Sequence, residues 1–309
     1  MTRAVVFAYH DVGCRCLQVL LAQGVEVPLV LSHEDAADEV IWYDSVAALA
    51  RAHDIPVITP EDPTDPALIE RIGRLAPDFL FSFYYRRMLP PALLDLPRRG
   101  ALNMHGSLLP KYRGRVPVNW AVIRGETETG ASLHYMTAKP DQGDLVDQMA
   151  VPILPDDRAL DAFRKVTVAA ELVLQRTLPA LLAGNAPRIR QDLAAGSYFG
   201  GRRPEDGRID WRQPAKAIHD LVRGVAPPYP GAFCTQAGHR LRVLSTVRVA
   251  STHTAAGRPS LHVAGGRVLA ECGDGAWLRL VDVEVDGAPA DAGTLRRLFG
   301  DGPIALAHD

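Results

Sequence analysis

Four short apolar runs punctuate the N-terminal part of the chain: AVVFA (4–8), VPLVL (27–31), IPVI (55–58) and FLFSF (79–83). Between them lie stretches with helical character: Cys14–Gln23 closed by Gly24, residues 45–53, and Asp65–Leu75. This alternation constrains the fold more than any other feature. Strands separated by helix-length connections build parallel sheets. Runs that lack polar alternation indicate strands covered on both faces.

The pattern continues and then changes. GALNMH (100–105) reads as a further strand, after which Pro110 and Gly114 break any regular element. Pro117–Ile123 suits a short helix with proline at its first position. ASLHYM (131–136) and LVDQMAVPI (145–153) are extended candidates. Arg158–Leu182 is the clearest long helix, with Leu160, Phe163, Val166, Ala170, Val173, Leu174 and Leu178 at helical spacing and Gly184 to stop it. GSYFGGRRPEDG (196–207), rich in glycine and charge, marks a domain boundary. Beyond a helix at Ala215–Val225 come the runs 232–250, 259–272 and 276–285, short strands joined by glycine turns. That texture predicts a small β domain or barrel. The expected division is a catalytic domain at 1–203 and a β domain at 204–309.

Composition narrows the function. The 309 residues carry a formal net charge of −2. A nucleic-acid binder usually shows a basic excess, so such a partner is disfavoured. Four scattered cysteines (Cys14, Cys16, Cys234, Cys272) fit a reduced compartment. The N-terminus reads as a strand rather than a signal peptide, and no stretch approaches 18 apolar residues. A cytoplasmic chain without membrane insertion is the expectation.

The densest chemistry lies in ALNMHGSLLPKYRGRVPVNW (101–120) and in KPDQGDLV, which holds Asp141. In an extended chain Asn103 and His105 share a face. An amide, an imidazole and a carboxylate suit acyl transfer to an amine. His105 would take the amine proton, Asn103 would donate to the developing oxyanion, and Asp141 would support the imidazolium. Spacing alone equally allows Asn103 and His105 to be polar strand-end residues and Asp141 a turn residue between Pro140 and Gly143. His10 and Asp11 follow the first strand, where α/β folds place ligands, yet YHDVGC is no GxGxxG dinucleotide fingerprint. There is no HExxH, no second cysteine pair for zinc, and no GxSxG around Ser107. Lys111, Arg113 and Arg115, with Arg202 and Arg203, could hold phosphates or remain solvated loops.

The run MHGSLLPKYRGRVPVNWAVIRGE together with Asp141 resembles the formyltransferases that use 10-formyltetrahydrofolate. FSFYYRRMLP (81–90), GETETG (125–130), FGGRRPED (199–206) and PPYPGAF (227–233) are similar to the formyltransferase half of the bifunctional lipid A modification enzymes. The resemblance covers nearly the whole chain. It implies a doubly wound, Rossmann-like formyltransferase domain followed by a small OB-like β-barrel domain. It also implies that Asn103, His105 and Asp141 are catalytic, and that the folate lies along Phe83, Tyr84, Tyr85, Arg86 and Met88 and along Thr137, Ala138, Lys139, Pro140 and Asp141. The implied acceptor is UDP-4-amino-4-deoxy-L-arabinose, with Lys111, Arg113, Arg115, Arg202 and Arg203 on its diphosphate or uridine. By the same resemblance, the 309 residues are expected not to include the NAD-dependent decarboxylase of the bifunctional enzymes. Neither NAD nor a metal is expected, and a separate decarboxylase and an aminotransferase would act upstream. Methionyl-tRNA formyltransferase, an enzyme for another nucleotide-linked aminosugar, and a non-catalytic folate-binding protein are the alternatives.

Overall fold

The computed structural model describes residues 1–37, 39–249, 258–300 and 302–306, so the last residue of the run 232–250 lies outside the described residues. The chain forms two compact units: 1–117, 128–151 and 163–200 in the first, and 118–127, 152–162 and 201–309 in the second. Two short segments from within the first 203 residues therefore belong to the second unit.

The strands up to residue 199 are β1 (Arg3–Ala8), β2 (Glu26–Leu31), β3 (Val57–Ile58), β4 (Phe79–Phe83), β5 (Ala101–His105), β6 (Arg113–Gly114), β7 (Glu128–Tyr135), β8 (Leu145–Pro152) and β9 (Tyr198–Phe199). The helices are α1 (His10–Ala22), α2 (Val46–Ala52), α3 (Pro66–Arg74), α4 (Pro91–Leu94), α5 (Pro117–Ile123) and α6 (Ala159–Ala183). Seven strands form one sheet in the order β3-β2-β1-β4-β5-β7-β8. Its first five strands are parallel, and β7 pairs antiparallel with β5. The switch has a local reason. The connection from β5 to β7 holds α5, which belongs to the second unit, so no helix crosses the first unit's sheet there. The chain runs from β1 outward through β2 and β3, then returns to β4 on the other side of β1. The carboxyl ends of β1 and β4 thus frame a topological switch point, where open α/β sheets bind ligands.

Local chemistry sets the element ends. The Ser45 hydroxyl accepts from Ala48 N and caps α2, while Asp65 caps α3 ahead of Pro66. α1 begins at His10, four residues earlier than periodicity suggests, because the turn after β1 is tight and His10 takes a left-handed φ of 69°. Gly24, at φ 75°, ends it. Val5, Phe7, Leu29, Leu31, Leu80 and Ile72 are fully or almost fully buried in one cluster of the core. Burying each such side chain contributes about 1.5–3 kcal/mol. α6 is long and apolar enough to cross a membrane by length and composition, but its Val166, Ala170, Val173, Leu174 and Leu178 are buried in the protein. Glu171 on it pairs with Arg15 of α1.

The second unit carries β10 (Ala232–Gln236), β11 (His239–Val249), β12 (Ser260–Ala264), β13 (Arg267–Glu271), β14 (Trp277–Val285), β15 (Ala288–Pro289) and β16 (Ile304–Ala305). It also carries α7 (Ala215–Val225) and α8 (Ala292–Phe299). Its sheet is antiparallel in the order β10-β11-β14-β13-β12-β16. The two edge strands meet through a side chain, Gln236 Nε2 donating to Ala305 O at 3.0 Å, so the sheet curls into a half-barrel. α7 turns Ile218, Val222 and Val225 into a core shared with Trp211, Leu241 and Leu278.

Candidate active site

Asn103 and His105 lie on β5, two residues apart, at the carboxyl end of the strand. The antiparallel register sets Asn103 opposite His134 and His105 opposite Ser132 on β7. Directly opposed side chains interact, and Asn103 Nδ2 stands 3.2 Å from His134 Nε2. Asp141 comes from the turn after β7. One of its carboxylate oxygens, Oδ1, is 3.6 Å from His105 Nδ1 and 3.4 Å from His134 Nε2. The other accepts from Gly114 N at 2.8 Å. The structure therefore brings Asn103, His105 and Asp141 together. It adds His134, which the sequence reading missed. The missed signal was the alternation in ASLHYM: pairing β7 against β5 turns His134 to the face of Asn103.

The hydrogen bonds fix which nitrogens carry protons. His105 Nε2 is 2.8 Å from Tyr112 O, and His134 Nδ1 is 2.8 Å from Tyr135 O. A carbonyl oxygen only accepts, so each of these nitrogens holds a hydrogen. In the neutral rings the other nitrogens, His105 Nδ1 and His134 Nε2, are lone-pair acceptors, and both face Asp141. Asn103 then donates one N–H to His134 Nε2 and keeps its second for another oxygen. A proton placed on either open nitrogen lies beside the carboxylate. Burial alone pushes the Asp141 carboxyl up, but the His105 and His134 rings, which place positive charge beside it once protonated, and the Gly114 N–H together hold it well below the usual range. It is an anion throughout the working pH range.

Several neighbours are held in backbone conformations that L-residues disfavour. His10, Tyr84, Tyr112, Val116 and Asp141 all have φ between 48° and 69°. Such residues cost about 1–3 kcal/mol each and cluster at functional sites. Tyr84 opens the loop after β4, and Tyr112 and Val116 lie in the loop after β5.

An aromatic wall lines the first turn of the crevice. His10 stacks on Tyr43 with centroids 3.9 Å apart, and Trp42 and Phe163 meet it edge-on. Burial, with Arg86 adding repulsion, lowers the His10 pKa to about 3. His33 stacks on Tyr85, and its Nε2 accepts from Arg86 N at 2.9 Å, which makes the ring neutral. Burial lowers its pKa to about 4. Arg86 lies over the Tyr9 ring and pairs with Glu39, whose carboxyl that pairing lowers to about 2.

The remaining candidate residues fall in different settings. Phe83 is fully buried and stacks on Phe81, and Tyr85 is buried against Phe7. Their side chains are core, so what they can offer a ligand is backbone. Met88, Thr137, Ala138 and Lys139 are exposed, and Pro140 is half-buried. Lys111 and Arg115 are exposed, while Arg113 is half-buried near Ser197 O. Arg202 and Arg203 belong to the second unit. There they line a cavity of about 190 Å³ with Pro204, Gly207, Val225 and Pro230. Arg202 stands 5.7 Å from the Tyr229 ring centroid, and burial lowers its pKa.

Known proteins share the family sequence pattern and the fold. Residues 15–178 match the family model described as formyl transferase, and residues 202–294 match the formyl transferase C-terminal domain. Among solved structures, the chain is similar to an N-formyltransferase from Helicobacter canadensis in complex with folinic acid and dTDP-3-aminofucose. The TM-score is 0.70 at 18% identity, covering 91% of this chain and 99% of that one. It is also similar to WlaRD, a sugar 3N-formyl transferase studied with dTDP and 5-N-formyl-THF, at TM-score 0.72 and 16% identity over 90% and 97% of the two chains. A 4-N formyltransferase from Francisella tularensis gives 0.60 and 19% over 75% and 91%.

Proposed function

The chain belongs to the formyl transferase family, and we propose that it moves a formyl group from 10-formyltetrahydrofolate to the amine of a nucleotide-linked aminosugar. The observation that carries this reading is the convergence of Asn103, His105 and Asp141 at one strand end of a formyl transferase domain. Sugar N-formyltransferases share the fold over nine-tenths of the chain, which favours an aminosugar acceptor.

The steps follow from the side chains. The acceptor amine attacks the formyl carbon, and the carbonyl oxygen gains negative charge. Asn103 meets that oxygen with its second N–H. His105 Nδ1 takes the amine proton, directly or through water, and the imidazolium forms beside Asp141. Oxyanion donors of this kind are worth about 3–4 kcal/mol each. The tetrahedral carbon then expels the folate nitrogen, which regains a proton, and the formamide is released. The folate lies along the loop after β4 and the turn 137–141. Phe83 and Tyr85 contribute backbone there, and Arg86 is held in place by Glu39. In the second unit Arg202 and Arg203 take the acceptor's diphosphate or uridine. Lys111, Arg113 and Arg115 supply further positive charge.

At finer resolution the acceptor is UDP-4-amino-4-deoxy-L-arabinose and the pathway is aminoarabinose modification of lipid A, which confers resistance to polymyxin. The runs HGSLLPKYRGR, FGGRRPED and PPYPGAF support this. In that setting the protein acts in the cytoplasm, after a separate decarboxylase and aminotransferase. The formyl-transfer residues Asn103, His105 and Asp141 then fall in the first unit, and residues 204–309 fall wholly in the second. The test is a competition at equal concentration among the UDP-linked 4-amino sugar, a dTDP-linked 3-amino sugar and charged initiator methionyl-tRNA. Formylated products are followed by mass. The reading predicts the highest kcat/KM for the UDP sugar. Preference for the dTDP sugar refutes the finer assignment, and preference for the tRNA refutes both.

A further inference from the structure

We infer that residues 189–199, downstream of α6, form a strap that positions both polar neighbours of the His105 ring nitrogens, with Gln191 and Ser197 as its positioning residues. The inference rests on the formyl-transfer reading of the site. His105 depends on two neighbours, the Tyr112 carbonyl at Nε2 and the Asp141 carboxylate at Nδ1. Both come from residues with left-handed backbone, φ 57° at Tyr112 and 54° at Asp141. An L-residue leaves that region readily unless its surroundings hold it.

The strap holds each of them. At its start, Ile189 and Leu145 exchange backbone hydrogen bonds of 2.8 Å. The buried Gln191 then donates both N–H groups of its amide across the Asp141 turn, to Asp141 O at 3.0 Å and to Gly143 O at 2.6 Å. The turn has no slack on its other side, since a Cβ on Gly143 would lie 1.8 Å from Tyr135 O. Farther along, the Ser197 hydroxyl accepts from Tyr112 N at 2.9 Å, and Ser197 O accepts from Arg113 N at 3.0 Å. Phe199 stacks on Tyr112 at 5.2 Å and 12°, and β9 pairs with β6 through residues 113 and 114. One short segment thus clamps both strained residues that decide where the His105 hydrogen resides. Shifting either clamp redistributes the ring between its two tautomers.

The test uses the full chain labelled with 15N, with the His105 ring nitrogens assigned by their loss in a His105→Gln spectrum. In the wild type the neutral ring carries its hydrogen on Nε2. Ser197→Ala and Gln191→Leu shift the two nitrogens toward a mixed tautomer. They lower kcat about tenfold to a hundredfold while KM for donor and acceptor stays within about twofold, as a misplacement on the order of an ångström does. Ser197→Thr, which keeps the hydroxyl, restores both readouts. Folded variants with unmoved ring nitrogens overturn the inference, whatever their kcat. Should Gln191→Leu fail to fold, Gln191→Asn and Ser197→Ala carry the same decision. A wild type that transfers no formyl group refutes the proposed function, whereas the nitrogen shifts still decide the strap.

Discussion

Asp141→Asn isolates the electrostatic core of the mechanism. Asparagine keeps the size of the side chain and can still accept from Gly114 N, so the turn should stay folded. What disappears is the negative charge 3.6 Å from His105 Nδ1. With an effective dielectric of about 20, that separation corresponds to about 4.6 kcal/mol between unit charges. The side chains of Asp141 and His105 are only 10% and 7% exposed, so solvent screens the pair little. In the proposed mechanism the imidazolium forms as the amine proton moves, so the loss falls on kcat. A decrease of roughly three orders of magnitude is expected, with little change in KM for the folate. Steady-state kinetics over a range of both substrates, with circular dichroism to confirm folding, gives the answer. A folded Asp141→Asn protein within tenfold of wild-type kcat would refute the reasoning, as would a loss confined to KM.

Further outcomes follow from the same geometry. Asn103→Ala removes the oxyanion donor and should lower kcat about a hundredfold to a thousandfold, checked by single-turnover transfer. His134→Phe leaves Asn103 without its acceptor, so it should lower kcat by at least about tenfold, a loss of about 1.4 kcal/mol; unchanged turnover would remove His134 from the site. His10 has a folded pKa of about 3 against an ordinary 6.5, so the unfolded chain binds the extra proton between those values. Stability is then full above pH 6.5 and falls by about 1.4 kcal/mol per pH unit below it. Urea unfolding at pH 7 and pH 5 should show a drop of about 2 kcal/mol from this residue, and His10→Phe should abolish that part of the slope. Gly143→Ala drives a methyl into Tyr135 O. It should destabilise the protein by several kcal/mol, of the order seen for severe overpacking, which a thermal melt would detect.

Much of the first unit was readable because buried parallel strands leave short apolar runs. FLFSF and AVVFA became β4 and β1 at almost the expected residues. The long helix was equally plain, since α6 repeats its apolar positions over 25 residues. The triad was visible as residue types, but its meeting was not, because Asp141 reaches His105 only through the antiparallel return of β7 and a left-handed turn. Register is a tertiary property, and a single sequence carries no record of which strand faces which. The same reason hid His134 and the strap residues Gln191 and Ser197, whose partners lie 48 to 85 positions away. His10 shows the converse. Its place after β1 suggested a ligand crevice, and the structure fills that place with Tyr43, Trp42 and Phe163.

The central claim is that this strand-end site moves a formyl group to an amine. The most direct measurement supplies purified protein with 10-formyltetrahydrofolate carrying a 13C-formyl carbon and a nucleotide-linked aminosugar, and follows the labelled carbon by NMR. The account predicts that the label leaves the folate and appears as a formamide on the sugar nitrogen, at a rate that Asp141→Asn abolishes. Label that stays on the folate with every aminosugar nucleotide, or transfer that persists undiminished in Asp141→Asn, would contradict it.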